Sequence, residues 1–438
     1  KQTQFGLQRD GIMFPNKPQV DLTNGLDYDG NPITPSVNGS RNDWATAGFF
    51  GRINYSYDGK YLLEANLRAD GTSRFRKGNQ WKTFPSFSLG WNVAREHFFE
   101  PLNNIVNILK FRASYGLLGN QNTTNWYQTY QTMSVGSSNG AWLMNGNKPN
   151  TASAPGLVSA SLTWETIESY NLGLDWGVFN NRLTGSFDWY IRDTKNMVGN
   201  APELPALLGT GVPITNNTDL RTSGWELSIG WNDRLNNGFT YGAKFNVSDA
   251  RTKITRYPNN PTKAVSTYIE GRYTNEIWGY TTVGLAKTDE EMQAHLATMP
   301  NGGQSALGSD WKAGDIMYAD INGDGKISGG SGTLNDTGDW TVIGNTTPRY
   351  LFGLDLNASW KGFDLRMFFQ GVMKRDFWQG STYLFGASNS GMWHATGIES
   401  VSDYFRNDDT WSVQEGYQSP NLNSYLPRPL YSNKNLQT

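Results

Sequence analysis

Between Trp164 and Thr194 the chain alternates apolar and polar residues with a period of two, and no other stretch constrains the fold as tightly. Tyr170, Leu172, Leu174, Trp176 and Val178 alternate with Asn171, Gly173, Asp175 and Gly177, so an extended backbone sends one set to each face. After Asn180-Asn181 the alternation resumes, with Leu183, Phe187, Trp189 and Ile191 against Thr184, Ser186, Asp188, Tyr190 and Arg192, which predicts a hairpin. The polar face is polar along its whole length. Two architectures accept it: a sandwich that turns it to bulk water, or a transmembrane barrel that turns it to a wet lumen while the aromatic face meets lipid.

The same pattern recurs along the chain. Ala45, Ala47, Phe49, Gly51, Ile53, Tyr55 and Tyr57 lead to an Asp58-Gly59 turn, and Tyr61, Leu63, Ala65, Leu67 and Ala69 return from it. The opposite face of that return strand carries Glu64, Asn66, Arg68 and Asp70, four groups that a dry core would accept only at a large desolvation cost. Further strands are predicted over 84–95, 108–118, 222–232, 238–249, 349–360 and 362–372. Links at 58–59, 180–181, 233–237 and 361–362 are short, with 96–107 of intermediate length on the same side, whereas 119–162, 195–221, 250–348 and 373–438 are long. Short turns at one end and long loops at the other are the layout of an up-and-down transmembrane barrel, and strands of about ten residues fit a bilayer. A soluble β-propeller or sandwich is the competing architecture.

Composition bears on what the chain can do. A formal charge of −2 over 438 residues, with no Lys/Arg cluster interleaved with aromatics, argues against a nucleic-acid groove. Aromatic content of 13%, 49 glycines and no cysteine suit a turn-rich, aromatic-girdled β protein that uses no disulfides. No apolar run approaches the roughly 20 residues a membrane helix needs, and a mean hydropathy of −0.57 is no obstacle because half of each barrel strand is polar. Lys1–Asp10 lacks the apolar centre of a signal peptide, so a mature or truncated form is expected. Residues 1–43, rich in Asn, Gly, Pro and Asp, read as a loop region; 44–372 as strands with outer loops; and 373–438 as a long outer loop in which the chain stops.

Within the 250–348 loop, Thr288–Met299 reads as a helix with a capping-box pair at Thr288 and Glu291. The sharpest motif follows. Asp320, Asn322 and Asp324 stand at positions one, three and five of a calcium loop, Gly325 permits the sharp turn at six, and the Lys326 carbonyl takes position seven, which predicts a Ca2+ ion over 320–331. Position twelve is Ser331 rather than Glu, so Asp336, Asp339 or the upstream Asp315 has to fold back as the closing ligand. Gly136-Ser137-Ser138-Asn139-Gly140 fits a nucleophile elbow by letter only, lying in a Gly/Ser/Asn loop rather than between a strand and a helix. His97, His295 and His394 lack any metal or triad spacing, and no acid/base pair stands out, so no enzyme is expected. Among the loop aromatics, Trp126, Tyr127, Trp142, Trp278 and Trp393 are the candidates for stacking on a sugar or gripping a peptide.

Six ordered blocks carry a resemblance: LRADGTSRF (67–75), FPSFSLGWNVARE (84–96), LKFRASYGLLGNQN (109–122), LTWETIESYNLGLDW (162–176), SGWELSIGW (223–231), and GDIMYADINGDGKI with IGNTTPRYLFGL. In this order they resemble the barrel of SusC-like (RagA-like) TonB-dependent transporters of the Bacteroidetes outer membrane, from about residue 44 to 372. The resemblance implies a 22-stranded barrel with an N-terminal plug, a SusD-like surface lipoprotein as a lid, and TonB acting through an N-terminal part this chain does not carry. It implies active import of an oligomeric nutrient, a glycan first and a peptide as the alternative. A soluble carbohydrate-binding or adhesive β protein remains the rival from another class.

Overall fold

The computed structural model describes residues 2–8, 36–136 and 143–378, apart from positions 124, 148, 204, 206 and 208. Its centre is a single antiparallel sheet. The strands of the chain are β1 (Gln2–Gln8), β2 (Ser36–Asn42), β3 (Thr46–Tyr57), β4 (Tyr61–Thr72), β5 (Trp81–Asn92), β6 (Val106–Asn120), β7 (Val135–Gly136), β8 (Thr151–Ala152) and β9 (Glu165–Val178). They continue with β10 (Leu183–Asn200), β11 (Ile214–Arg234), β12 (Thr240–Arg256), β13 (Glu276–Tyr280), β14 (Thr282–Leu285), β15 (Ile316–Tyr318), β16 (Trp340–Asn345), β17 (Arg349–Trp360) and β18 (Phe363–Lys374), with one helix, α1 (Asp289–Ala297), between β14 and β15. Ten of the strands form one meander in the order β18-β17-β12-β11-β10-β9-β6-β5-β4-β3, so β3 and β18 are its edges among the described residues.

The expected alternation holds strand by strand. Phe49, Ile53, Tyr55, Leu63, Leu67, Phe87, Leu89, Leu172, Trp189, Leu365 and Phe369 lie exposed on the face that a bilayer would cover. The turns that join these strands at one end are short because their residues accept left-handed geometry: Asp58 and Gly59 have φ of 52° and 60°, and Asn180 and Asn181 have 58° and 62°.

Four sequence boundaries move. Residues 1–43 are not loop throughout, since β1 and β2 pair in antiparallel register from Gln2↔Asn42 to Gln8↔Ser36. Neither QTQFGLQ nor SVNGSRN alternates in hydrophobicity, so main-chain pairing leaves no sequence signature there. The 195–221 link shrinks to 201–213, because β10 runs to Asn200 and β11 starts at Ile214, and β12 continues to Arg256 into the expected 250–348 loop. In the last segment β18 reaches Lys374, and positions 379–438 lie outside the described residues.

One irregularity has a local cause. Pro85 has no N–H to offer, and the β5–β6 ladder ends beside it at Ser86↔Gly116 although β6 continues to Asn120. Above that break Phe75, Phe84, Leu162 and Trp164 form a buried core, with Trp164 edge-on to both phenylalanine rings and its Nε1–H donating to the Gln80 carbonyl at 3.0 Å.

The 257–348 excursion is a small unit in its own right. β13 pairs with β16 and β14 with β15, and α1 packs Met292 against Ala286 and Met317. Thr288 caps α1 by accepting from the Glu291 N–H at 3.2 Å, while the Glu291 carboxylate accepts from the Lys287 N–H at 2.7 Å.

Candidate functional site

The polar face of the sheet is built from side chains that answer one another across strands. Arg112 on β6 donates from Nε to Asp175 on β9 at 2.8 Å and from Nη1 to Asp188 on β10 at 2.9 Å. Arg52 donates to Asn66 at 2.8 Å, Asn66 to Glu64 at 2.8 Å, and Arg366 on β18 to Asp355 on β17 at 3.0 Å. These pairs are half-exposed, as side chains lining a hydrated surface are, and they cost little because water still reaches them. They give the face polarity and stiffness without an acid/base pair set apart for catalysis.

The outer loops hold the sequence-predicted residues. Asp320 accepts from the Gly323 N–H at 2.7 Å with Oδ1 and from the Gly325 N–H at 2.8 Å with Oδ2. Asn322 Oδ1 accepts from the Asp324 N–H at 3.0 Å, and Asp324 Oδ1 from the Lys326 N–H at 3.1 Å. Gly325 takes φ of 80° with a main-chain oxygen that accepts from Asn301 N–H at 3.0 Å, so the sharp turn the motif requires is present. Ile327, fully buried, anchors the loop, and its N–H donates to the Gly303 carbonyl at 2.7 Å.

Of the three carboxylates considered for closing this loop, Asp339 folds back into it. Its Oδ1 accepts from the Ile321 N–H and its Oδ2 from the Ser328 N–H, both at 2.8 Å, and the side chain is fully buried. Asp336 instead accepts from the Ser331 N–H at 2.8 Å, and this hydrogen bond holds its carboxyl below the usual carboxylate range. Asp315 sits in its own turn, accepting from the Lys312 N–H at 3.0 Å. Among the described residues no three His, Cys, Asp or Glu side chains converge as a metal cluster. A cation at this loop would therefore draw on Asp320 and Asp324 together with Asn322 and main-chain carbonyls.

The aromatic candidates are partly engaged. The buried Arg74 guanidinium lies 4.4 Å from the centroid of the Trp44 ring and 5.8 Å from that of Trp126, and the Tyr127 hydroxyl both donates to the Asp43 carbonyl at 2.8 Å and accepts from its N–H at 2.9 Å. Trp278 carries Arg272 over its ring at 5.0 Å. Trp142 and Trp393 lie outside the described residues. Nearby, burial between neighbouring rings pushes the Tyr280 hydroxyl up from its ordinary value, with Tyr318 and Trp340 at centroid distances of 5.6 and 6.0 Å. Two features had no reading in the sequence: the Trp44–Arg74–Trp126 contact, and the charged ladder of β9–β12. The second had a signal, since Asp193 and Lys195, and Asp249, Arg251 and Lys253, keep the period of two after the apolar residues stop.

Comparison with known proteins agrees with the fold. Residues 2–361 match the family described as TonB dependent receptor-like, beta-barrel. TonB-dependent receptor P3 of Formosa agariphila is 31% identical over 364 residues, covering 80% of this chain and 34% of the relative. TonB-dependent receptor SusC of Bacteroides thetaiotaomicron is 29% identical over 317 residues, covering 72% and 30%. The chain spans about a third of the length of these curated relatives. Among solved structures, the RagAB peptide transporter superposes with a TM-score of 0.64 at 20% identity over 95% of this chain and 41% of its own, which is a likeness of fold. With its meander, its lipid-type aromatic face and this match, the chain belongs to the TonB-dependent receptor-like β-barrel family of the outer membrane, a family of receptors and transporters rather than enzymes.

Proposed function

We infer that this chain supplies barrel wall and outer loops to a TonB-dependent importer of an oligomeric nutrient, working with a SusD-like surface lipoprotein as its lid. The observation that carries this is the polar face, on which ion pairs such as Arg112 with Asp175 and Asp188 recur strand after strand opposite an aromatic lipid face. Such a wall passes hydrated cargo and binds no part of it tightly, as translocation requires. A glycan is the first reading of the cargo, supported by the similarity to SusC-type receptors and by outer-loop tryptophans able to stack on sugar rings. A peptide is the second, favoured by the fold shared with the RagAB peptide transporter. TonB would act through the N-terminal part that the wider family carries.

The Asp320 loop would bind one Ca2+ through Asp320, Asn322, Asp324 and main-chain carbonyls and stiffen the outer excursion, with Asp339 bracing the loop by accepting from the Ile321 and Ser328 N–H groups. In support, the loop already has the turn, the buried Ile327 anchor and side-chain oxygens at the alternate positions Asp320, Asn322 and Asp324. The test of function is purification of the full-length protein from detergent-solubilised outer membrane, with partners and cargo identified by mass spectrometry. A surface lipoprotein with a bound oligosaccharide supports the first reading, a bound oligopeptide the second. Recovery of the full-length protein with neither lipoprotein nor oligomer, together with unimpaired growth of a deletion strain on every oligomeric nutrient tried, would refute both.

A further inference from the structure

The outward face changes character toward the outer ends of four neighbouring strands. On β10 the outward positions run Phe187, Trp189, Ile191, then Asp193 and Lys195. On β9 they run from Trp176 through Leu174, Leu172 and Tyr170 to Glu168; on β11 from Trp231 to Trp225 and then Arg221; on β12 from Phe245 and Val247 to Asp249, Arg251 and Lys253. Register confirms a shared face, since Arg221 pairs with Asp193 on one side and with Lys253 on the other. Ten positions separate Leu183 from Asp193 and Trp231 from Arg221, which at about 3.4 Å per residue and a tilt of about 45° is roughly 24 Å, the height of a barrel's apolar band. On β10 and β11 the charged positions therefore begin where the hydrocarbon ends and headgroups start; Lys253 shares their row, and Arg251 stands one outward position closer to the apolar band.

The boundary has a fixed structure. The Tyr115 and Tyr170 hydroxyls donate to Glu168 at 3.0 and 2.8 Å, as interfacial tyrosines with one apolar end and one wet end do. Lys195 pairs with the same Glu168, Arg221 with Asp193 at 2.7 Å, and Arg349 with Asp249. The three carboxylates of the belt are thus taken by three cations. Two cations remain, Arg251 and Lys253, both exposed and in no ion pair among the described residues. Lys253 stands directly opposite Arg221, whose own charge is met by Asp193 on the far side, so Lys253 has no carboxylate across the ladder. Arg251 is held in place by Tyr273, whose ring centroid is 3.9 Å from its guanidinium carbon.

We propose that Arg251 and Lys253, with Arg221 beside them, bind the phosphate-bearing headgroup of an outer-leaflet lipid on the outside of the barrel wall. The excess charge, its height above the apolar band and its preorganisation by Tyr273 all fit an anion held at the headgroup plane, and the site is separate from the cargo path on the opposite face. The test uses the full-length protein in detergent, titrated by native mass spectrometry with diphosphoryl lipid A, with the same lipid after dephosphorylation, and with inorganic phosphate. Wild-type protein is expected to retain the phosphorylated lipid, and an R251Q/K253Q variant to bind it about thirtyfold more weakly, the combined effect of two basic residues near a phosphate surface. Arg52→Gln, which removes a cation from the polar face, is expected to bind as wild type does. Equal retention of phosphorylated and dephosphorylated lipid by the wild type overturns the proposal without reference to any variant. So does equal binding by a double variant whose heat-modifiable migration shows it folded, and inorganic phosphate displacing the lipid at equal concentration would make this a free-anion site instead.

Discussion

Arg112 on β6 and Asp188 on β10 are hydrogen-bonded across β9, the strand that lies between them. The guanidinium can cross because the residue beneath it is Gly173, where a Cβ would stand 2.6 Å from Arg112 Cζ. Asp175 on β9 holds the other edge of the same guanidinium, so one arginine ties three neighbouring strands.

Gly173→Val is therefore expected to push the guanidinium off β9 and break its bond to Asp188 while leaving the reach to Asp175. A double-mutant cycle between Arg112 and Asp188 should give a coupling of about 1 kcal/mol or less, since both groups are partly exposed. In the Gly173→Val background that coupling should vanish. Thermal transitions of the folded barrel, followed by heat-modifiable migration on gels, measure both quantities, and a coupling that survives Gly173→Val would show that the glycine does not matter to this contact.

How far the sequence reaches can be seen at particular residues. Where lipid faces one side of a strand, Phe187 and Trp189 alternate with Ser186 and Asp188, and β9 and β10 are legible from that alone. Above the bilayer the same strands continue on water-exposed ladders, and apolar alternation ends because nothing apolar covers either face. That is why the sequence reads β10 as ending at Thr194 although it runs to Asn200. The Asp320 motif is legible by letter, and the sequence leaves Asp315, Asp336 and Asp339 open beside it; that Asp339 is the one whose carboxylate accepts from the Ile321 and Ser328 N–H groups of the loop depends on the path of the chain through Gly338 at φ of 54°. The Trp44–Arg74–Trp126 contact joins residues far apart in sequence and left no local signal.

Calcium should protect the Asp320 loop. In hydrogen exchange of the full-length protein, amides of 320–331 are expected to slow when Ca2+ is added and to speed up when a chelator removes it. At a hundredfold excess over its dissociation constant the ion would add about 2.7 kcal/mol to local stability. Asp324→Ala should abolish the calcium response, and Asp339→Asn should weaken it while also loosening the Ser328 N–H that the native carboxylate accepts. An exchange pattern indifferent to calcium in the wild type would remove the ion from the account of this loop.

Trp126 offers a different kind of test, because it is both a candidate cargo contact and a partner of Arg74. Arg74 is only 7% exposed, so the cation–π contacts around it act in a poorly hydrated setting and are worth about 2 kcal/mol. Trp126→Ala should therefore loosen the 121–130 segment, and Trp44→Ala should do the same from the other side of the guanidinium. Trp44 was never a cargo candidate, so cargo affinity measured on both variants separates the two roles. Loss with Trp126→Ala alone marks a residue that touches cargo; equal loss in both marks a residue that shapes the loop.

Asp336 makes the outer loop sensitive to acid in a direction that can be worked out. The Ser331 N–H holds its carboxyl below the ordinary value of 3.8, so the folded loop binds the proton less readily than the unfolded chain does. Its contribution is present in full above that ordinary value and is lost as pH falls through the lower, folded one. Hydrogen exchange at the amides of Ser331 and Gly338, corrected for intrinsic rates, should thus be flat from neutral pH down to about pH 5 and rise below about 3.8. Asp336→Asn removes the charge at every pH and should give the faster exchange already at neutral pH, with no further rise on acidification from this group. If the variant still shows the wild-type rise below pH 3.8, the acid response belongs to another carboxylate of the loop.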